Sequence, residues 1–221
     1  MANTIEARGG IISAVGLVAM LVASRAVADE AVVGDPRGDI RIGAGPTLGT
    51  LSQVVNGATQ VVPAVGFDLQ VLAREHHLTA GVILRPETNL AYSGIGLGLV
   101  GGFTWLEKGA RLELLGSAGL HVLNNGGANW ELLGSDSGVN GTLPFLGGSF
   151  GLLESFNPES RFHFTFGLVF YAQTDLGRLS GSLTVPYGFV STYSRPVSIS
   201  TWSDGAALVF GVVVDFSKGW R

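Results

Sequence analysis

The sequence predicts an all-β chain, an up-and-down antiparallel transmembrane β-barrel of about eight strands behind an N-terminal signal peptide, and three observations predict it. The first is composition: of 221 residues, 46 % are hydrophobic, only 14 % are charged and 34 are glycine, with a mean hydropathy of +0.39. A surface made from such a chain is too poor in charge to be wholly solvated. The second is periodicity, because apolar residues recur at every second position over runs longer than the ~5–6 residues of an ordinary strand. The third is that no window holds the roughly 18 unbroken apolar residues of a membrane-crossing helix. Apolar surface that must meet lipid is therefore carried by strands.

The elements follow in chain order. Arg8 precedes the apolar stretch Ile11 to Ala23, and Ala26 and Ala28 then supply the small residues of a signal-peptidase site. Residues 1–28 are expected to be a signal peptide, 29–38 a short disordered leader, and 39–221 the barrel domain. An uncleaved anchor is the competing reading, and the shortness of the apolar run counts against it. Ile40 to Leu48 reads as the first strand. In the second, Val65, Phe67, Leu69 and Val71 alternate with Ala64, Gly66, Asp68 and Gln70; in the third, Leu78, Ala80, Val82 and Leu84 alternate with Thr79, Gly81, Ile83 and Arg85. The fourth sets Ile95, Leu97, Leu99 and Phe103 against Gly94, Gly96, Gly98, Val100 and Gly102. The fifth sets Leu112, Leu114, Ala118, Leu120 and Val122 against Arg111, Glu113, Ser117, Gly119 and His121. Leu146, Phe150 and Leu152 mark the sixth. The seventh is the clearest, with Phe162, Phe164, Phe166, Leu168 and Phe170 on one face and Arg161, His163, Thr165, Gly167, Val169, Tyr171 and Gln173 on the other. A helix would scatter those phenylalanines around its circumference. Leu208, Phe210, Val212, Val214 and Phe216 form the eighth.

Connections alternate in length. Arg74 to His77, Glu107 to Gly109 and Asn157 to Ser160 are short and rich in turn residues. Thr50 to Val61, Pro86 to Ala91, Asn124 to Thr142 and Asp175 to Ser203 read as long loops, and the last of these contains a Tyr-, Ser- and Thr-rich stretch suited to a hairpin above the membrane. Short turns on one side and long loops on the other are the pattern of an outer-membrane barrel. A soluble barrel with its apolar face inward is the alternative architecture. The second face here is chiefly Gly, Ser, Thr and Ala, which suits a narrow lumen better than a solvated exterior.

This pattern resembles the small OmpA/OmpX-type outer-membrane barrels, over nearly the whole of the mature chain. The resemblance implies residence in the bacterial outer membrane, surrounded by outer-membrane lipid, with the export and barrel-assembly machinery as partners. It also implies an aromatic residue closing the last strand as an assembly signal. Here the chain carries FSKGWR instead, so Phe216 and Trp220 both stand as candidates for that role.

Several chemistries are excluded or disfavoured. A formal net charge of −4 without any Lys/Arg cluster argues against nucleic acid, and Cys 0 removes disulfides, thiolate metal sites and cysteine nucleophiles. The inward face holds Asp68 and Arg85, which a turn pairing position 68 with 83 makes diagonal same-face neighbours. A compensated buried pair is the preferred reading. Arg111, Glu113 and Arg161 extend it toward the short turns, and His121 and His163 share that face. His121 and His163 with Ser117, Ser149 and Asp68 invite a search for a hydrolase triad, but no nucleophile motif accompanies them. His76 and His77 read as a solvated pair in a turn. No cofactor and no metal are expected. Trp105, Tyr92, Trp130, Tyr187, Tyr193, Trp202 and Trp220 lie near strand ends or in loops, as interfacial aromatics do.

The functional expectation is a non-enzymatic barrel with a structural or surface-interaction role, its long loops offering a surface to a partner. A small channel or ligand-binding barrel is the alternative, followed by a lipid-modifying enzyme.

Overall fold

The computed structural model describes residues 38–55, 58–89, 92–107, 109–124, 140–187 and 191–216. The expected signal peptide, most of the leader, Trp130 and Trp220 lie outside them. Nine strands are present among the described residues: β1 (Gly38–Val55), β2 (Ala58–Glu75), β3 (Leu78–Asn89), β4 (Tyr92–Glu107), β5 (Ala110–Asn124), β6 (Asn140–Phe156), β7 (Phe162–Asp175), β8 (Leu179–Tyr187) and β9 (Ser191–Asp215). Each of β1 to β6 pairs with the next, β7 pairs with β9, and β9 returns to β1, so eight antiparallel staves close a barrel. Closure leaves the staves no free edge, which is what hydrocarbon surroundings demand of backbone N–H and C=O groups. The ninth strand, β8, pairs with Ser191–Ile199 of β9, ahead of the part of β9 that joins β7. The hairpin expected in the last long connection is thus formed from β8 and Ser191–Ile199 of β9.

Alternation sets the two faces. On β7 the outward row Phe162, Phe164, Phe166, Leu168 and Phe170 is exposed, while His163, Thr165, Val169, Tyr171 and Gln173 are buried. The same parity exposes Val65, Phe67, Leu69 and Val71 on β2 and Ile95, Leu97 and Leu99 on β4. Leu99 is 70 % exposed where Leu72, one of the inward residues, is 0 % exposed. Large apolar side chains therefore cover the outside, the arrangement opposite to that of a soluble barrel. Phe103 is the exception among the outward residues, since only 7 % of it is exposed; its ring stacks on Trp105 at 5.8 Å between centroids.

The three short connections are as expected, and each contains one residue in the left-handed region: His76 (φ 55°), Gly109 (φ 92°) and Asn157 (φ 56°). Glycine adopts that conformation freely, and asparagine and histidine are among the few other residues enriched in it. The long connections differ from expectation. Thr50 to Val61 and Pro86 to Ala91 are mostly strand, because β1 continues to Val55, β2 begins at Ala58, β3 continues to Asn89 and β4 begins at Tyr92. Backbone pairing carries the ladder past the run of clear apolar alternation, with Leu51 and Glu87 still buried on the inward face. Gly38, placed in the leader by sequence, is the first residue of β1, and its carbonyl accepts from Phe216 N–H at 2.9 Å. Phe216 thus stands where the β1–β9 seam ends.

Proline interrupts the ladder twice. Pairing of β1 with β9 passes from Ala44↔Phe210 to Thr47↔Ala207, skipping Pro46 and Gly45. Pairing of β2 with β3 passes from Gly66↔Glu87 to Leu69↔Leu84, skipping Pro86 and Arg85. A proline has no N–H to give. At the first interruption a side chain on Gly45 would run into the Leu208 carbonyl, so the closing seam demands glycine there. Gly45→Ala is expected to cost about 1–3 kcal/mol in a urea folding titration. Gly148→Ala, whose added carbon would meet its nearest neighbour at 3.5 Å, is the control and should be close to neutral.

Inside, three apolar clusters fill part of the lumen. Leu72, Ile83, Val100 and Leu115 line the β2–β5 half, and Leu153, Val169, Ala207 and Val209 line the β6–β9 half. Leu51, Ala64, Leu123 and Leu143, with Val62 and Leu179 against them, form a lid at the end away from the short turns.

Candidate functional site

The charged residues of the lumen fall into two groups. Near the short turns, Asp39 and Arg41 enter from β1, Gln70 and Arg74 from β2, and Arg111 and Glu113 from β5. Period-two parity turns all six inward, and all are buried. Arg74 Nε donates to Asp39 Oδ2 at 2.7 Å, and Arg111 Nη2 reaches Asp39 Oδ1 at 3.1 Å. Arg111 Nε also donates to Glu113 Oε1 at 2.8 Å. Arg41 Nη2 then donates to Glu113 Oε2 at 2.6 Å and to Gln70 Oε1 at 2.9 Å. Cations and carboxylates alternate along this chain, so each charge meets its opposite. An uncompensated ion in such a volume would cost several kcal/mol.

The second group lies toward the lid. Arg85 donates to Asp68 Oδ2 from Nε at 3.1 Å and from Nη2 at 2.6 Å. Its guanidinium also packs over the Tyr171 ring, 3.8 Å from the centroid, and reaches Gln173 Oε1 at 3.4 Å. The ring of His121 stands between two carboxylates, with Nδ1 at 3.0 Å and 3.1 Å from the oxygens of Asp175 and Nε2 at 3.5 Å from Glu87 Oε1. The Thr201 hydroxyl donates to Asp175.

The residues expected on the inward face are distributed as follows. Asp68, Arg85 and His121 belong to the group near the lid, and Arg111 and Glu113 to the group near the short turns. His163 is buried near the short turns, where its Nδ1 lies 3.2 Å from the backbone carbonyl of Ser160. Arg161 is in the β6–β7 turn, its guanidinium 6.0 Å from the Phe162 ring. The Asp68–Arg85 register is two residues away from the expected one. Gln70 pairs with Ile83, so Asp68 lies directly across from Arg85 rather than diagonal to it. The inward face is the same in both registers because the shift is even. Gln70, Tyr171 and Gln173 were placed on the inward face by alternation but given no role, and Asp39, Arg41, Arg74, Glu87, Asp175 and Thr201 were not singled out by sequence. Parity carried two steps past Arg85 would have found Glu87.

The chemistry open to this arrangement is compensation of buried charge. In the His121–Asp175–Thr201 contact, the hydroxyl of Thr201 is directed to the carboxylate and not to the imidazole, which is not the order that activates a nucleophile. Among the described residues no group of three or more His, Asp or Glu is placed to hold a metal ion. His76 and His77 are exposed in their turn, with His77 Nδ1 3.3 Å from the Thr104 carbonyl.

No family model matches the sequence, and no curated protein matches it. Among solved structures, the fold is similar to Neisserial surface protein A, at 12 % identity over 77 % of this chain and 96 % of that one, with a TM-score of 0.45. It is also similar to the outer membrane protein OprG from Pseudomonas aeruginosa (13 % identity, 81 % and 97 % covered, TM-score 0.43). A third similar structure is Ail, the attachment invasion locus protein of Yersinia pestis (14 % identity, 80 % and 99 % covered, TM-score 0.37).

Proposed function

We propose that this chain is a bacterial outer-membrane β-barrel with a structural or surface-contact role in the cell envelope and no catalytic chemistry. The observation that carries the reading is the pairing of a closed barrel whose outside is large and apolar with a lumen occupied by mutually compensated ions and apolar clusters. The outer belt suits hydrocarbon, and eight staves leave an interior that side chains can fill. Outer-membrane lipid is then the surrounding medium, and the export and barrel-assembly machinery deliver the chain to it. The β8–β9 hairpin, beyond the β7–β9 ladder, offers a partner a surface.

A small channel is the second reading, favoured by the presence of charged side chains toward both ends of the lumen. Two experiments decide. Native protein should fractionate with outer membranes and show heat-modifiable gel mobility, and recovery in a soluble fraction would overturn membrane residence. In planar bilayers the purified barrel should show no sustained conductance steps. Such steps would place the channel reading first.

A further inference from the structure

Large apolar side chains cover the outer face of the staves, and carboxylates interrupt them at few described positions. Glu75 closes β2 beside its turn, and Asp204 accepts from the Thr50 hydroxyl. Glu154 has neither circumstance. It is exposed on the outward row of β6, close to the end of that strand at Phe156. Among the described residues no cation pairs with it. Its Cα partners are Ala110 on β5 and Phe166 on β7, a methyl group on one side and a ring on the other.

The small side chain of Ala110 leaves a hollow of about 550 Å³ in the outer surface, where Glu154 stands among Trp105, Leu112, Leu152, Phe166 and Leu168. The register sets Trp105, Leu112, Leu152 and Leu168 in one row across β4 to β7, so an apolar row borders the carboxylate on its mid-membrane side. Arg111 lies beneath the hollow, but its guanidinium is turned into the lumen, onto Asp39 and Glu113. Trp105 is 39 % exposed and stacked on Phe103, and an exposed indole near a strand end marks the headgroup level of such a barrel.

We propose that this hollow seats one phospholipid with a primary ammonium headgroup, drawn from the leaflet on the short-turn side, its acyl chain against Leu112, Leu152 and Leu168 and its ammonium on Glu154. The inference rests on the membrane reading above and adds a lipid class to it. A carboxylate on a lipid-facing row is costly, and an acyl chain does nothing to offset it. A cationic headgroup does offset it, and a primary ammonium brings N–H donors that a quaternary one lacks. A headgroup with a phosphate and no amine meets the carboxylate with like charge. The indole N–H of Trp105 is a donor for the phosphate or ester oxygens of the same lipid. The hollow is continuous with the lipid-facing belt, so the headgroup is what it selects and any acyl chain serves.

Trp130→Phe, Trp202→Phe and Trp220→Phe together leave Trp105 as the single indole of the full chain. Its fluorescence is read in phosphatidylcholine vesicles to which brominated phosphatidylethanolamine, phosphatidylcholine or phosphatidylglycerol is added at rising mole fraction. Phosphatidylethanolamine should bind beside Trp105 about two- to fivefold more strongly than phosphatidylcholine, the range of an exposed ion pair, and phosphatidylglycerol more weakly than both. Glu154→Gln should abolish the ethanolamine preference, and so should Ala110→Leu, which fills the hollow and keeps the carboxylate. Equal binding of the three lipids to the parent chain would overturn the seat and leave Glu154 to water or to Lys108, next in sequence after β4. An ethanolamine preference that survives Glu154→Gln would overturn it as well. Absence of quenching by all three lipids would show an outer face that does not meet lipid, and the seat would then fall with the membrane reading. Should the three tryptophan exchanges prevent folding, native mass spectrometry of the unaltered chain and of Glu154→Gln from the same lipid mixture decides. A phosphatidylethanolamine adduct should be retained on the unaltered chain and lost from the variant, and equal adducts would refute the proposal.

Discussion

Leu168→Arg is expected to destabilise the barrel in lipid vesicles by about 2–4 kcal/mol, the cost of a cationic side chain near mid-membrane on a lipid-facing position. Leu168 is near the middle of β7 and 43 % exposed on the outer face. Its Cα partners are Leu152 on β6 and Leu208 on β9, and Phe166 and Phe170 flank it on its own strand, so nothing beside it compensates a charge. Phe166→Arg should cost less. Phe166 lies across from Glu154, an outward carboxylate of β6, although its ring also packs on Phe210 at 4.8 Å. A urea titration of folding into vesicles measures both. If Leu168→Arg costs under about 1 kcal/mol, the outer face meets water and the membrane reading fails.

The barrel was legible because its signal is redundant. In FHFTFGLVF every second residue is a large apolar group, and the β7 faces follow that parity without a break from Phe162 to Phe170. Eight such segments fix eight staves, and the outward rows, Phe103 apart, repeat the same exposed apolar chemistry from strand to strand. The charged interior was only half legible, for a related physical reason. Asp39 and Arg74 lie toward the turn end of the staves and Glu87 and Asp175 toward the lid end, where the outward alternation fades and a search for it clips the strand. Glu87 fell in a segment read as the loop Pro86 to Ala91, and Arg74 in a segment read as a turn. Register was the other loss. The β2–β3 connection is His76–His77 with Glu75 paired to Leu78, and the tightness of that turn rests on His76 adopting φ 55°, which the residue type does not announce. A register error of two leaves the face intact and changes the neighbour, so Asp68 and Arg85 were placed together with the wrong geometry.

That pair gives the largest effect expected of any substitution. Arg85→Gln removes the one cation that, among the described residues, is hydrogen-bonded to Asp68 through Oδ2; Asp68 Oδ1 has no hydrogen bond, and the residue is 0 % exposed. Stranding a buried carboxylate in this way should cost about 3–5 kcal/mol. Asp68→Asn strands Arg85 less severely, because the Tyr171 ring at 3.8 Å and Gln173 at 3.4 Å still receive the guanidinium, and its cost should lie below that of Arg85→Gln. Asp68→Asn with Arg85→Gln removes both charges together, leaving neutral groups able to hydrogen-bond across the same β2–β3 position. The double change should therefore cost less than the two single changes combined, with a coupling of roughly 0.5–3 kcal/mol in a urea titration. The expectation depends on a dry lumen, since water reaching the pair would solvate whichever ion is left alone. A cycle that closes near zero would mean that Asp68 and Arg85 are separately hydrated, and it would place the small channel ahead of the closed structural barrel.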